Sequence, residues 1–387
     1  MSDISATAHN PFDEARPYLL SLYMTLVGYS VLVALPAING AWVDQLGFTD
    51  VEVNRVASAD LLGLFLGSVA AAFLISKINR QHLIYAGIVL AIVANWLCIN
   101  WTSYEQMLWL RCLAGFGSGV YTGVAVAGLG ARSKPREAFN IMLLAFAVSQ
   151  FLELQLIPLL SMDMIYVFFI ATYVVTIPFV RWMPTEDLTT PSPAQVTKTT
   201  ESRPSTLAWV GIFAIVVAYI NIGAYWANIE LAAEDAGLDG NWAGQVISWT
   251  VLLSFVGCFT AMVTLKRLDY DRPILVTFVL MVLAVGALAV NFTAAVFLLS
   301  VALFNFLWIF IDVYQMGGVS VADRSGSAAA FIPGAQGLGQ MLGPLAASFL
   351  LDFGWGFTSV FVLCAIASAA AFSIYFVIYQ FGSSKSA

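Results

Sequence analysis

Charge is scarce in this chain. Asp, Glu, Lys and Arg make up only 10% of its 387 residues, against about 25% in an average soluble domain. Histidine is nearly missing: His9 and His82 are the two present, which leaves little acid–base chemistry near neutral pH. The four cysteines, Cys98, Cys112, Cys258 and Cys364, fall inside apolar runs and form no Cys-x-x-Cys pair. That argues against a disulfide framework or a Cys/His metal site and reads them as small buried hydrophobes. Neither a Walker-type Gly-rich loop nor paired Asp-rich motifs, His-rich boxes or a Ser/His pair can be found, so ATP drive and the usual membrane-embedded enzyme chemistries lack their residues. No basic patch of the kind nucleic acid needs is present either. The expectation is a protein without enzymatic activity, cofactor, metal or nucleic-acid partner.

Apolar surface is what the chain has in excess. Sixty per cent of its residues are apolar or aromatic and the mean hydropathy is +0.86. A water-soluble protein of this size cannot hide so much in one core, so the solvent for most of the chain is lipid. Residues 1–17 are polar and slightly acidic, with Asp3, Asp13 and Glu14 against Arg16. The apolar run that follows is too long for a signal-peptide core and lacks a small-residue cleavage pattern, so it is expected to remain as a membrane helix.

A hydrocarbon core about 30 Å thick needs about 20 apolar residues per helix. That ruler predicts an all-α membrane protein of twelve transmembrane helices. The first six are Tyr18–Ile38, Val56–Ser76, Leu83–Trp101, Met107–Ala131, Ala138–Leu160 and Met164–Trp182. The second six are Thr206–Ala227, Ala243–Leu265, Ile274–Val290, Ala294–Gly317, Ala328–Leu350 and Trp355–Tyr379. Pro184–Ser205 holds Pro184, Pro191, Pro193 and Pro204 among many Ser and Thr, which is linker composition. The expected domains are an N-tail 1–17, a six-helix bundle 18–183, the linker 184–205, a second bundle 206–380 and a C-tail 381–387.

Lys and Arg set the orientation. With the N-terminus cytosolic, the inner segments hold Arg16, Lys77, Arg80, Arg132, Lys134, Arg136, Arg181, Lys198, Arg203, Lys266, Arg267, Arg272, Arg324 and Lys385. Arg55 alone lies in an outer loop and Arg111 lies within a span. Both termini are therefore expected in the cytosol. The halves also echo each other: Val148-Ser149-Gln150-Phe151-Leu152 of the fifth span aligns with Leu338-Gly339-Gln340-Met341-Leu342 of the eleventh, as in transporters built from repeats.

The fourth span reads Leu110-Arg111-Cys112-Leu113-Ala114-Gly115-Phe116-Gly117-Ser118-Gly119. It resembles the Arg-x-x-x-Gly-x-Gly helix of the major facilitator superfamily, and the resemblance covers essentially the whole chain. Val33-Ala34-Leu35-Pro36-Ala37-Ile38 is similar to the drug:proton antiporter branch, although the Asp often found a few residues earlier is replaced by the Gly28-Tyr29-Ser30 stretch. The loop after the second span is a worn form of the family's Gly-x-x-x-Asp-Arg-x-Gly-Arg signature, with Ala72, Ser76, Lys77, Asn79 and Arg80 in the corresponding places. The resemblance implies two six-helix bundles related by a pseudo-twofold axis, with the first, fourth, seventh and tenth helices lining a central cavity. The subfamily stays open.

Charges inside a span cost roughly 2.5–3.5 kcal/mol each on insertion scales, so they mark cavities or partners. Asp60, Arg111 and Glu153 are expected in the outer third of the first bundle, as a cluster that binds an anionic substrate, carries protons or braces the helices. Asp312 is expected toward the inner end of the tenth span, sharing a face with Asn305 and Trp308 at helical spacing. Asn221 and Tyr225 point one way on the seventh span, and Gln336 and Gln340 share a face of the eleventh. Gly115, Gly117, Gly119 and Gly123, and Gly334, Gly337, Gly339 and Gly343, read as packing stripes that also allow helices to slide.

The function these readings support is a secondary active transporter of a small organic solute in the cytoplasmic membrane, coupled to protons and monomeric in the lipid bilayer. The alternatives are an uncoupled facilitator of a small metabolite and, from another class, a membrane-embedded enzyme or non-transporting receptor.

Overall fold

The computed structural model describes residues 10–185, 206–322 and 331–383. These residues fold entirely as helices, with no strand among them. The helices are α1 (Ala15–Gly28), α2 (Ser30–Val33), α3 (Leu35–Leu46), α4 (Asp50–Leu74), α5 (Arg80–Asn100), α6 (Tyr104–Gly130), α7 (Pro135–Leu156) and α8 (Met162–Thr176). After the linker come α9 (Thr206–Asp235), α10 (Gly240–Val251), α11 (Leu253–Thr264), α12 (Asp271–Val290), α13 (Ala294–Ala322), α14 (Ile332–Asp352) and α15 (Gly356–Ser383).

Ten helical stretches among the described residues are long and apolar enough to cross a membrane. The two expected spans outside that set each depart from a plain apolar helix. Tyr18–Ile38 is not one helix but the series α1, α2, α3, broken at Tyr29 and Ala34. Pro36 accounts for the second break, because it has no N–H to give the carbonyl of Leu32 and its ring crowds that carbonyl. Trp226 of α9 donates its indole Nε1–H to Leu32 O instead, at 3.1 Å. The other is α14, expected at Ala328–Leu350, where glycines, glutamines and Pro344 dilute the apolar run. Its first expected residues, with Arg324 before them, lie outside the described residues, as do Lys198, Arg203 and Lys385.

Several helices start earlier or end later than apolar runs indicate, because polar residues cap them. Thr49 and Glu52 form a capping box, in which Glu52 N–H donates to Thr49 Oγ1 and Thr49 N–H to Glu52 Oε2. Two orphan donors are thus satisfied at the helix start, and α4 begins at Asp50 rather than Val56. Gly47, at φ 71°, ends α3 just before it, a left-handed conformation that glycine adopts without a Cβ penalty.

Helix packing is closest where glycines meet. A Cβ on Gly63 of α4 would lie 2.0 Å from the carbonyl oxygen of Cys112 on α6, and one on Gly115 would lie 2.1 Å from that of Asp60. In the second half of the chain α9 and α14 approach as closely at Gly223, Gly339 and Gly343. Gly115, Gly117 and Gly119 of α6 and Gly339 and Gly343 of α14 are therefore contact points between backbones, whereas Gly334 and Gly337 face the Phe65 side chain. The two halves of the chain meet through α3 on α9, α4 on α14 and α7 on α10.

One end of the bundle carries the amino-terminal segment. There Asn10 Nδ2 donates to Ala131 O at 2.9 Å, and Asp13 accepts from Ser133 N–H at 3.0 Å beside Arg132. Burial pushes the Asp13 carboxyl up, but the Ser133 hydrogen bonds and the Arg132 charge hold it below its ordinary range. The opposite end carries the connections at Gly47–Thr49 and around Gly237.

Candidate functional site

A cavity of about 150 Å³ lies between the two halves of the chain. From the first half, Tyr29, Phe65, Phe146 and Gln150 reach it; from the second half come Tyr219, Trp308, Asp312, Gln336 and Gln340. It sits toward the amino-terminal end of the bundle, since its α14 lining begins at Pro333 and its α13 lining runs to Met316. The two glutamines that the internal alignment pairs, Gln150 and Gln340, face this same cavity from α7 and α14.

Asp312 is the one carboxylate of the lining, and no lysine, arginine or histidine joins it among the described residues. It is 4% exposed. Tyr219 donates its hydroxyl to Asp312 Oδ1 at 2.5 Å, and Gln336 Nε2 donates to the Tyr219 oxygen at 2.7 Å. Gln150 is also buried, and among the described residues its Nε2 has no hydrogen-bond partner. A buried amide donor left unpaired costs desolvation energy, so this one is a vacant donor at the cavity wall.

The expected cluster of three charges divides in two. Arg111 donates through Nε and Nη2 to Asp60 Oδ2, at 2.9 and 2.5 Å, and through Nη1 to Asn95 Oδ1 at 2.7 Å. Its guanidinium also lies 5.8 Å from the ring centroid of Tyr166. Asp60 lies well inside its helix rather than near the start: α4 begins at Asp50, which puts Asp60 about 15 Å along the helix at about 1.5 Å per residue. None of these residues touches the cavity. Glu153 is elsewhere, accepting from Ser30 Oγ at 2.5 Å and Ser149 Oγ at 2.6 Å. Ser30 opens α2, so this buried carboxylic group is tied to the broken stretch of the first span, one turn from Gln150.

The expected face of Asn305, Trp308 and Asp312 is split as well. Trp308 and Asp312 line the cavity, whereas Asn305 turns to α10 and donates to Thr250 Oγ1 at 3.2 Å. Tyr225 is fully buried, bonded to Ser300 and stacked on Phe304 with centroids 3.9 Å apart. Asn221 is buried beside Cys364 with its Oδ1 unpartnered. Both belong to the interior of the second half of the chain, away from the cavity lining. Sequence reasoning missed Tyr219, the hydroxyl that links Asp312 to Gln336. Tyr219 on α9 and Asp312 on α13 are separated in the chain by three helices, so no local spacing marks the pair.

At the opposite end of the bundle the two halves are closed together. Asn54 and Asn228 exchange amide hydrogen bonds at 2.7 and 2.9 Å, and Asn39 Nδ2 donates to Ala227 O at 2.7 Å. Gln155 reaches Gln245 and Ser248, each at 3.0 Å, and Arg55 pairs with Asp352 at 2.8 Å.

Known proteins resemble this chain in the same terms. A stretch of 123 residues is 30% identical to the inner membrane metabolite transport protein YgcS of Escherichia coli K12, covering 32% of this chain and 26% of that protein. The chain thus aligns with about a quarter of that relative's length. Among solved structures, the nucleoside transporter NupG superposes with a TM-score of 0.70 and its D323A mutant with 0.72. Each is 13% identical and covers 94% of this chain, spanning 99% and 100% of its own, a likeness of fold. The sequence model of the Major Facilitator Superfamily matches residues 19–324. An integral, multi-pass membrane transporter rather than an enzyme, the chain belongs to the Major Facilitator Superfamily.

Proposed function

We propose that the protein is a secondary active transporter that carries a small organic solute across the cytoplasmic membrane by alternating access, with protons as the coupling ion. The topology behind this reading has twelve crossings in two six-helix bundles, 18–183 and 206–380, with α1–α3 as a broken first crossing and α14 as the eleventh. The distribution of lysine and arginine supports a cytosolic linker and cytosolic termini. The inner-membrane location of the YgcS relative supports the choice of membrane.

The observation that carries the proposal is the asymmetry of the seam between the halves. A cavity holding one carboxylate lies toward the amino-terminal end, while amide pairs shut the opposite end. In the proposed orientation this is a state closed to the outside. A transporter needs the converse state as well, which forms when the outer contacts part and the inner walls meet.

Asp312 in the cavity and Glu153 beside α2 are the proposed proton carriers. Each is buried, each is held by hydroxyl donors, and neither has a cationic partner among the described residues. A carboxyl group in such surroundings changes protonation when its environment alternates between water and packed side chains. A proton moving down a 100 mV potential supplies about 2.3 kcal/mol. Proteoliposomes with an imposed pH gradient, screened across organic cations, neutral metabolites and organic acids, test the reading. Gradient-driven accumulation of a solute is expected in the parent protein. Glu153→Gln should abolish accumulation yet retain exchange between equal pools, and Asp312→Asn should abolish accumulation as well. Accumulation that persists in both variants would move the uncoupled or sodium-coupled reading ahead.

A further inference from the structure

The cavity walls also specify the charge of what they hold. We infer that the cavity binds a small aromatic amine in its cationic form, with the ammonium on Asp312 and an acceptor atom on Gln150; this rests on the reading that the cavity is the substrate site. The one Asp, Glu, Lys, Arg or His among the described lining residues is Asp312, a carboxylate. An ammonium placed against this carboxylate gains a charge-assisted hydrogen bond. An organic anion would bring a second negative group into the same enclosure, with no lysine, arginine or histidine among the described lining residues to meet it, which burial makes costly.

The remaining walls favour a flat ring. Tyr29 and Phe146 form an edge-to-face pair at 5.3 Å, Phe65 lies under Gly334 and Gly337, and Trp308 stands one turn before Asp312 on α13. An aromatic face near a cation adds attraction. The volume of about 150 Å³ is that of an apolar cavity able to hold one benzene ring. Gln150 Nε2, buried and unpartnered, supplies the second polar point from the opposite half of the chain. A ligand touching both points therefore bridges the halves, as a transported solute must. Arg111, the one cation buried in the first half among the described residues, is engaged by Asp60 and Asn95 and lies outside the lining.

Three probes of one shape and different charge separate the possibilities: 4-methoxybenzylamine, 4-methoxybenzyl alcohol and 4-methoxybenzoate. Binding is read by tryptophan-fluorescence titration of the purified full chain in lipid nanodiscs, which needs no transport. The amine is expected to bind at least tenfold more tightly than the benzoate, with the alcohol between them. Asp312→Asn should reduce the amine preference to less than twofold. Gln150→Leu should remove the advantage of 4-methoxybenzylamine over benzylamine while leaving the charge preference intact, and this second variant serves if Asp312→Asn does not fold. Equal binding of amine and benzoate, a preference for the benzoate, or binding of none of the three would overturn the inference. Those results leave the coupled-transport reading standing wherever another solute accumulates under a pH gradient. Charge-selective binding without any accumulation would sink that reading alone.

Discussion

Arg111 and Asp60 illustrate how a buried charge in a membrane chain is tolerated. The guanidinium gives two hydrogen bonds to one carboxylate oxygen and a third to Asn95, so most of its desolvation penalty is offset by fixed partners. Neither residue reaches the cavity, and the pair joins α4 to α6 where their glycines let the backbones touch. Removing one member strands a charge, at a cost of about 3–5 kcal/mol. Arg111→Ala is therefore expected to lower the melting temperature in detergent sharply and to depress transport with it. The double variant Arg111→Met with Asp60→Leu removes both charges and should regain most of the lost stability. If stability returns and transport does not, Arg111 has a role in the transport cycle beyond packing. Sequence alone grouped Asp60 and Arg111 with Glu153 as charges within spans. The capping box of Thr49 and Glu52 extends α4 beyond its apolar run, so the place of Asp60 along its helix could not be read from that run alone.

At the scale of helices, close backbone contact is the device that holds α4 to α6 and α9 to α14. Not every glycine takes part. A Cβ at Gly63 would lie 2.0 Å from a backbone oxygen, whereas at Gly286 of α12 the nearest atom would be Ala365 Cβ at 4.0 Å. Gly63→Ala and Gly223→Ala must push two helices apart and are expected to cost about 1–3 kcal/mol, the usual range for overpacking. Gly286→Ala should be neutral or slightly stabilising, because alanine is the better helix former by about 1 kcal/mol. Thermal melts of the three variants in one detergent distinguish these outcomes; equal melting temperatures would mean that the interfaces yield freely. The helical class and the positions of most spans could be read from apolar runs and glycine stripes, which report local composition. The broken first span could not, because Val33 to Ile38 is uniformly apolar and only Pro36 signals the break. Its compensation, the Trp226 indole on Leu32 O, is a contact between residues far apart in the chain. Cavity membership is equally non-local: helical spacing groups Asn305 with Trp308 and Asp312, but Asn305 donates to Thr250 on α10 while the other two line the cavity.

Across the whole molecule, the proposed cycle depends on how firmly the end opposite the cavity is shut. The contacts there differ in kind. Arg55 and Asp352 are a partly exposed pair, with side chains 33% and 57% accessible, and such pairs contribute about 0–1 kcal/mol. Asn54 and Asn228 are both fully buried and exchange two hydrogen bonds across the seam between α4 and α9. Replacing both by alanine leaves no orphaned amide and removes net hydrogen bonding worth about 0.5–1.5 kcal/mol per bond. The ratio of outward-open to closed molecules should then rise roughly tenfold, since 1.4 kcal/mol corresponds to a factor of ten in a population ratio. Ser58 reports on it: one turn along α4 from Asn54, it donates to the Asn54 carbonyl and is 4% exposed in the closed state. In a background with the four native cysteines replaced, Ser58→Cys should react slowly with a membrane-impermeant maleimide added from outside. Asn54→Ala with Asn228→Ala should raise that rate roughly tenfold, and Arg55→Ala should change it little. If the amide variant leaves the rate unchanged and Arg55→Ala raises it, the outer seam is held by its surface ion pair. The buried amides would then be packing elements whose hydrogen bonds do not limit opening.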